Sequence, residues 1–395
     1  YESMKRGMTV ERLHELTGID EWFLNKLLHL LTLERRMQGE LFTEELHMEA
    51  KQYGFPDRVI KEMTGLTELK HIPACYRMVD TCSAEFAAST PYFYSSYGEE
   101  DEAGPFIMEH AVGKQVVMVF GSGPIRIGQG IEFDYASVHC VWSLKRAGYE
   151  VVIVNNNPET VSTDFNVADR LYFEPLTPED VMDIIRVEKP AGAVVAFGGQ
   201  TAIRLTKCLV ENGVPVLGTP ADSIDMAEDR GRFNALLKKL NMKQPSGDTV
   251  YTEDEAIATA NRLGYPVLVR PSYVLGGQNM IIAYQDADIH EYMKIILEHK
   301  IENAILIDKY LMGTELEVDA ICDGEDVLIP GIMEHIERAG VHSGDSIAVY
   351  PAWNLDGKTT EDLIAYTKNL ALGLNTRGLV NIQYVVYENT IYVIE

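Results

Sequence analysis

Cysteines are scarce in this sequence, and those present are scattered. Five occur in 395 residues, none in a C-x-x-C pair: Cys75, Cys82, Cys140, Cys208 and Cys322. An odd number of isolated thiols argues against a disulfide framework and is typical of proteins from a reducing compartment. We therefore expect a cytoplasmic protein.

Long apolar runs and basic surfaces are also missing. No apolar segment approaches the roughly 18 residues that a membrane helix needs, and the N-terminus has no signal-peptide layout. Lys and Arg number 34 against 60 Asp and Glu, which gives a formal charge of -26. This charge argues against nucleic-acid and membrane partners, because both present anionic phosphate. Any bound phosphate must be met locally by Arg, Lys, backbone N–H groups or a metal.

Hydrophobic periodicity divides the chain into three regions. Residues 1 to about 104 show short helical patterns, among them one that begins at a predicted N-cap, Asp20, and stops at Gly39. From Lys114 onward, β-branched runs alternate with helical segments, which predicts right-handed β-α-β crossovers and a parallel sheet. A second α/β region begins near Ile224. Because the sequence starts at Tyr and stops within a predicted strand, we expect a piece of a longer protein.

The stretch "VMVFGSGPIRIGQG" at 117–130 begins like the phosphate loop of a dinucleotide-binding fold. The third glycine of G-x-G-x-x-G is replaced by Arg126, and "VVIVNNNPET" offers asparagines where a ribose-binding acid is expected. Three interpretations stay open: a nicotinamide dinucleotide site, a glycine-rich turn that only reverses the chain, and a loop facing a small anion or a neighbouring active site.

Two glycines follow a basic residue in "RPSYVLGGQNM", between two predicted strands. Gly276 and Gly277 would let the backbone approach polyphosphate closely, and Arg270 would supply charge. The alternative is a simple turn.

Acids alternate along the predicted strand in "IDKYLMGTELEVDA". Glu315, Glu317 and Asp319 share one face, which is either a solvated face of an acidic protein or part of a nucleotide site. In the second case, Lys309 to Leu311 forms a hinge whose backbone meets adenine, and Glu315 binds ribose hydroxyls. The polar segment "EHIERAGVHSGDS" that follows predicts a loop. His335 and His342 lack the spacing of a helical zinc pair.

The last segment, "NIQYVVYENTIYVIE", predicts two strands. A three-residue loop at 388–390 places Gln383 directly opposite Glu395, so that an amide oxygen and a carboxylate point together as ligands for Mg²⁺. A two-residue loop would turn one of them to the other face.

These segments together resemble the large chain of carbamoyl phosphate synthetase over almost the whole sequence. The matching strings occur in the family's order: "MVFGSGPIRIGQGIEFDY", "NNNPETVSTDF", "DRLYFEPLTPEDV", "FGGQT", "RPSYVLGGQ", "EVDAICDG" and "GIMEHIERAGVHSGDS". The resemblance implies an all-α oligomerisation domain with its linker at 1–112. It further implies an α/β pre-ATP-grasp domain with a Rossmann-like parallel sheet at 113–223, and an α+β ATP-grasp domain, truncated at its C-terminus, at 224–395.

The same resemblance implies ATP-dependent phosphorylation of carbamate to carbamoyl phosphate. The cofactors would be ATP and Mg²⁺ or Mn²⁺, with K⁺ as a further candidate. The partners would be a glutaminase small chain, the remaining halves of the full large chain, and further copies in a homo-oligomer. Because the family continues past the final glutamate with further metal- and substrate-binding residues, we expect this piece alone to be inactive.

By motif, the resemblance assigns Arg230, Arg270 and His342 to catalysis. It assigns nucleotide contacts to Arg270, Gly276, Gly277, Lys309, Leu311, Glu315, Gly340, Val341, His342, Ser343, Gln383 and Glu395. The metal ligands would be Gln383 and Glu395, in agreement with the hairpin argument. The competing functions are a non-catalytic nucleotide-binding and oligomerisation scaffold and a nicotinamide-dependent oxidoreductase.

Overall fold

The protein is described from a computed structural model. The structure describes residues 1–87, 89–110, 113–123, 131–271, 280–298, 304–341 and 346–395. The chain divides into two compact units, Tyr1–Leu217 and Gly218–Glu395, and each is described by itself.

The first unit opens with five helices: α1 (Glu2–Lys5), α2 (Val10–Thr17), α3 (Glu21–Gly39), α4 (Glu44–Gln52) and α5 (Asp57–Thr64). Thr9, Asp20 and Thr43 cap α2, α3 and α4 by accepting backbone N–H groups of the first turn. The predicted N-cap at Asp20 is therefore confirmed.

The rest of the first unit builds a mostly parallel sheet. Its strands are β1 (Cys75–Met78), β2 (Tyr92–Ser96), β3 (Val116–Phe120), β4 (Glu150–Val154), β5 (Arg170–Tyr172) and β6 (Gly192–Val194). Its helices are α6 (Ala103–His110), α7 (Ala136–Arg146), α8 (Pro178–Glu188), α9 (Gly199–Ile203) and α10 (Thr206–Glu211), with a π-helical turn at Ile131–Tyr135 and a 3₁₀ turn at Val161–Thr163.

Within the described residues, the strand order of this sheet is β1-β2-β5-β4-β3-β6. All neighbours are parallel except β1 and β2. The three β-branched runs thus form β3, β4 and β6, and the predicted parallel sheet is confirmed. The prediction of helices up to residue 104 is wrong at β1 and β2, where Tyr76 and Phe93 are fully buried in the sheet's core.

A charged cluster attaches the opening helices to α8. The ammonium group of Lys51, only 2% exposed, pairs with Glu179 and lies 3.1 Å from Asp57 Oδ1. His71 bridges Asp57 (2.8 Å) and Asp183 (3.0 Å). Burial opposes protonation of His71, but its hydrogen bonds to Asp183 and Asp57 raise its pKa. The cluster is consistent with a structural role, because its charges are mutually paired.

The described residues of the second unit form two antiparallel sheets. Its helices are α11 (Ala221–Glu228), α12 (Arg230–Lys239), α13 (Glu253–Leu263), α14 (Asp286–Glu298) and α15 (Gly357–Gly373). Its strands are β7 (Gly247–Val250), β8 (Val267–Pro271), β9 (Ile281–Ala283), β10 (Ile305–Lys309), β11 (Thr314–Cys322), β12 (Val327–His335), β13 (Ala348–Val349), β14 (Gly378–Tyr387) and β15 (Thr390–Val393).

In the described part of this unit, one sheet has the order β7-β10-β8-β9 and the other β13-β12-β11-β14-β15. The even-numbered residues of β11 and β14, such as Leu316, Val318, Ile382 and Tyr384, are buried against α12 and α15 in one core. The odd-numbered residues of the same strands lie on the other face, which carries the predicted acids. No helix in the described ranges is long and apolar enough to cross a membrane.

Candidate nucleotide site

Glu315 and Gly340, two residues predicted to contact one nucleotide, lie together. The Glu315 side chain, near the start of β11, is buried, and its Oε2 accepts the Gly340 N–H at 3.1 Å. Gly340 has φ +93°, and a Cβ there would lie 3.0 Å from the Tyr310 ring. The backbone conformation therefore favours glycine at 340, and a side chain there would also require the Tyr310 ring to shift. The solvated-face interpretation is wrong for Glu315, although Asp319 is exposed.

The connection from β10 to β11 is the segment that contains the predicted hinge, Lys309 to Leu311. Its tyrosine, Tyr310, is buried and donates its hydroxyl to the Ala339 carbonyl at 2.5 Å. Burial raises the pKa of Tyr310, which keeps the hydroxyl protonated as a donor. Leu311 packs with Ala339 and Val385. These contacts hold the hinge against the segment that carries Gly340 and Val341.

The Lys309 side chain is engaged elsewhere. Its Nζ donates to the carbonyl oxygens of Gly264 (2.8 Å) and Tyr265 (3.2 Å), at the C-terminal end of α13. These two residues directly follow the last residue of α13, and a cation is favourable near the C-terminal end of a helix. Any contact of Lys309 with adenine must therefore come from its backbone, as the hinge hypothesis states.

Arg230 and Arg270 meet at a residue that the sequence analysis missed, Asp308. Arg230, the first residue of α12, forms an ion pair with Asp308 on β10, and Arg270 Nε on β8 lies 4.0 Å from the second carboxylate oxygen. Asp308 precedes the predicted hinge directly, and that position was the available signal. A Cβ on Gly247 would lie 1.9 Å from Asp308 Oδ1, so this glycine makes room for the carboxylate.

Each of the two guanidinium groups has an N–H donor that makes no hydrogen bond to a described residue. Among the described residues, Arg230 Nη1 and Arg270 Nε are buried nitrogens without a hydrogen-bond partner. Buried N–H groups of cationic side chains normally have acceptors, and phosphate oxygens are suitable ones. The donor set therefore fits an anionic ligand.

Gln383 contacts Glu317, which the sequence analysis named only as one of three alternating acids. The two lie directly opposite each other on β14 and β11, and Gln383 Nε2 donates to Glu317 Oε1 at 3.0 Å. His335, which is buried at the end of β12 and not in the predicted loop, places its Nε2 at 3.3 Å from the same oxygen. Amide, carboxylate and imidazole thus share one face of the sheet beside Glu315.

The hairpin that ends the chain differs from the prediction. Tyr387 pairs with Thr390 and Tyr384 with Val393, so the loop has two residues, Glu388 and Asn389, and the predicted three-residue loop is wrong. Their φ angles of 47° and 58° are those of a tight turn with two left-handed residues. Plain alternation from this turn would place Gln383 opposite Ile394.

A β-bulge nevertheless brings the backbone of Glu395 to Gln383. The Gln383 N–H donates to the Glu395 carbonyl (2.9 Å), and the Ile394 N–H donates to the Gln383 carbonyl (2.8 Å). Two residues of the last segment therefore oppose one, and such a bulge redirects the side chain beyond it. Joint metal ligation by Gln383 and Glu395 stays a prediction, now through the bulge and not through simple register.

Four predicted site residues lie outside the described residues: Gly276, Gly277, His342 and Ser343. Arg126 and the rest of its loop beyond Gly123 do so as well. Among the described predicted residues, Arg230 and Arg270 form one group around Asp308, and Glu315, Gly340 and Gln383 form another on or beside the second sheet.

The first glycines of the 117–130 loop pack against an asparagine in the first unit. A Cβ on Gly121 would lie 2.5 Å from the Asn155 side chain, and the Gly123 N–H donates to Asn155 Oδ1 at 3.2 Å. Asn155 is buried at the end of β4, where a dinucleotide site needs a ribose-binding acid. This packing favours the turn interpretation over the nicotinamide site.

Comparison with protein families gives three consecutive matches. The family model described as the carbamoyl-phosphate synthetase large chain oligomerisation domain matches residues 1–75. The carbamoyl phosphate synthase pre-ATP-grasp domain matches 113–226, and the carbamoyl-phosphate synthase L chain ATP binding domain matches 229–395.

Two curated relatives align with the whole chain, and both are named carbamoyl phosphate synthase large chain. The one from Lachnoclostridium phytofermentans is 56% identical over 403 residues, and the one from Agathobacter rectalis is 55% identical over 402. The chain spans 37% of the length of each relative.

Solved structures support the fold. A biotin carboxylase from Campylobacter jejuni, determined as a β-γ-ATP complex, has a TM-score of 0.56 at 15% identity, over 72% of this chain and 65% of that chain. An N5-carboxyaminoimidazole ribonucleotide synthetase from Thermus thermophilus has a TM-score of 0.53 at 14% identity, over 70% and 69%. At such low identities the likeness shows an ATP-grasp-type fold and nothing more specific.

Proposed function

Because the chain belongs to the carbamoyl phosphate synthase large-chain family, we propose that its second unit is an ATP-grasp ligase that phosphorylates carbamate to carbamoyl phosphate. The observation that carries the proposal is the pair of arginines around Asp308, each with a buried N–H that has no hydrogen-bond partner among the described residues. In a chain of charge -26, such donors are suited to bind an anion.

ATP binding is assigned to the sheet face that carries Glu315. The buried carboxylate is suited to accept ribose hydroxyls, and its hydrogen bond to the Gly340 N–H fixes its orientation. The backbone of Lys309 to Leu311 is the proposed contact for adenine, and Tyr310 holds it in place. Gly340 and Val341, with His342 and Ser343, form the proposed nucleotide-contacting loop, and Gly276 and Gly277 the proposed flap.

The chemical step requires little covalent participation from the protein. A carbamate oxygen attacks the γ-phosphorus in line, the bond between that phosphorus and the β,γ-bridging oxygen breaks, and ADP leaves as carbamoyl phosphate forms. Arg230 and Arg270 offset the negative charges of the two reactants and orient them. Water must be kept out of the site, because carbamate decomposes in it.

A divalent metal fits the residues at the end of the sheet. Gln383 and Glu395 offer an amide oxygen and a carboxylate, the hard oxygen donors that Mg²⁺ and Mn²⁺ prefer. When bound, the ion would neutralise charge on the phosphates. The Gln383 side chain is already held, with its NH₂ group toward Glu317.

The wider reaction is proposed from the family. The other half of a full large chain would phosphorylate bicarbonate, and a glutaminase small chain would supply ammonia to form carbamate. The helical start would assemble large chains into an oligomer. The chain spans 37% of the length of its curated relatives, so the full activity would need these additional parts.

The test is Glu395→Ala in a complete large chain. We expect carbamoyl phosphate synthesis to fall by about 10²–10³-fold, the scale of losing one preorganised stabilising group, while bicarbonate-dependent ATP hydrolysis continues. Glu388→Ala removes an exposed carboxylate from the same hairpin and is the matched control. Undiminished carbamoyl phosphate synthesis in the Glu395 variant would overturn the assignment.

A further inference from the structure

We propose that Glu317 is a positioning residue for Gln383 and determines which end of the Gln383 amide faces the metal. The inference rests on the proposed function, in which Gln383 is a metal ligand. The two side chains lie directly opposite each other on neighbouring strands, and Gln383 Nε2 is 3.0 Å from Glu317 Oε1. The sequence analysis named Glu317 only as one of three alternating acids and gave it no role of its own, because that role depends on strand pairing.

The chemistry of the pair fixes the amide's orientation. An ionised carboxylate only accepts hydrogen bonds, whereas an amide has a donor end, NH₂, and an acceptor end, the oxygen. Contact with Glu317 therefore requires the NH₂ end, and the oxygen is turned away from Glu317. Only that oxygen is suited to ligate Mg²⁺ or Mn²⁺. Without the carboxylate, both amide orientations become accessible, and one of them presents N–H groups to the cation.

The Glu317 carboxylate is itself held in place. His335 Nε2 lies 3.3 Å from the same oxygen that accepts Gln383, and the His335 and Glu317 side chains are only 2% and 14% exposed. His335 Nδ1 lies 3.9 Å from Glu315 Oε1. The positioning contact is therefore part of a packed row that connects the proposed metal ligand to the proposed ribose-binding acid. Partners of this kind orient metal ligands in many proteins.

The same two strands provide a matched control. Asn381 lies opposite Asp319, two residues along from Gln383 and Glu317, and its Nδ2 donates to Asp319 Oδ1 at 2.8 Å. This pair has the same amide-to-carboxylate chemistry in the same register. Asp319 and Asn381 are both exposed, and neither is a proposed metal ligand. Loss of the Asp319 carboxylate therefore removes an equivalent cross-strand contact without affecting Gln383.

The experiment measures Mn²⁺ affinity by electron paramagnetic resonance with saturating β,γ-imido-ATP. Glu317→Ala is expected to weaken Mn²⁺ binding by about 10–100-fold, the usual effect of losing a group that orients a ligand. Glu317→Gln should weaken Mn²⁺ binding less than Glu317→Ala, because its amide oxygen can still accept Gln383 Nε2, but its NH₂ group no longer excludes the reversed Gln383 amide. Asp319→Ala should leave the affinity unchanged. Equal affinity in Glu317→Ala and Asp319→Ala would overturn the inference.

Two further variants separate this inference from the proposed function. Gln383→Ala removes the proposed metal ligand itself, and undiminished Mn²⁺ affinity in this variant would refute the metal site. Weakened Mn²⁺ binding in Gln383→Ala together with normal binding in Glu317→Ala would refute only the role of Glu317. If Glu317→Ala does not fold, the exchanged pair E317Q/Q383E decides. In this double variant the amide at position 317 donates an N–H to the carboxylate at position 383. The carboxylate can still ligate the metal, so Mn²⁺ binding should be retained. A loss comparable to that of Gln383→Ala would contradict the inference.

Discussion

Glu174 is a buried carboxyl in the first unit whose protonation affects stability. It is 3% exposed and accepts the N–H and, at 3.0 Å, the hydroxyl of Ser95. Burial raises its pKa from 4.5 to about 7, with smaller opposing contributions from the Ser95 hydrogen bonds. Because the folded pKa lies above the unfolded one, the stabilising effect of protonation is complete below pH 4.5. It is lost as the pH rises through about 7.

Glu174→Gln should remove this pH dependence. Its amide resembles the protonated carboxyl, accepting the Ser95 N–H and donating to the hydroxyl. The variant should exceed the parent in unfolding free energy at pH 8 by up to roughly 3 kcal/mol, and match it at pH 4. Urea unfolding of both proteins at the two pH values provides the measurement. A parallel pH dependence in parent and variant would show that Glu174 ionises freely in the fold.

Individual site residues could be predicted where a motif carries them and not where strand pairing does. Glu315 and Gly340 were both selected from the sequence, and the structure joins them by a hydrogen bond. Asp308 and Glu317 were given no site role, because Asp308 is a single acid in an acidic chain and Glu317 was named only as one of three alternating acids. Their importance appears only when β10 and β11 place them beside Arg230 and Gln383.

The turn at Glu388 and Asn389 determines the register of the last hairpin. Both residues have positive φ, and tight turns of this kind favour Asn or Gly at both positions. Glu388→Asn should therefore stabilise the second unit by about 1 kcal/mol through relief of backbone strain. The midpoint of thermal unfolding is the measurement.

Glu325→Asn is the matched control for this turn. Glu325 is likewise an exposed acid in a turn between strands, but it is not among the residues with positive φ. The unfolding free energy of this variant should stay within about 0.5 kcal/mol of the parent's, as is usual for surface substitutions. An equal gain in both variants would indicate that removal of charge, and not backbone strain, is responsible.

Helices and strands were predictable where their hydrophobic period was clear. The runs that became β3, β4 and β6 are continuous and β-branched, as expected for strands buried on both faces. The short strands β1 and β2 were missed because "CYRM" and "YFYSS" are brief and mostly aromatic or polar, and because β5, which joins β2 to the rest of the sheet, is distant in sequence. The loop length at 388–389 was also misjudged, because "ENT" lacks the Asn-Gly pair that marks a two-residue turn.

At the scale of the whole chain, two glycine-containing loops compete for the nucleotide. One follows β3 in the first unit, and its first glycines pack against Asn155. The other belongs to the second unit, where Gly340 binds the buried Glu315. The sequence alone left this choice open until the family resemblance was considered. The contacts around Glu315 and Asp308 support the second unit.

Photoaffinity labelling of the chain with 8-azido-ATP tests this central claim most directly. The reactive azide sits on adenine, so the label should attach to the peptide that contains Lys309, Tyr310 and Leu311. Excess MgATP should prevent labelling, and NADH should not. Mass spectrometry of the digested protein identifies the labelled peptide. Labelling near Gly121 to Gly130, displaced by NADH, would contradict the account and return the nucleotide to the first unit.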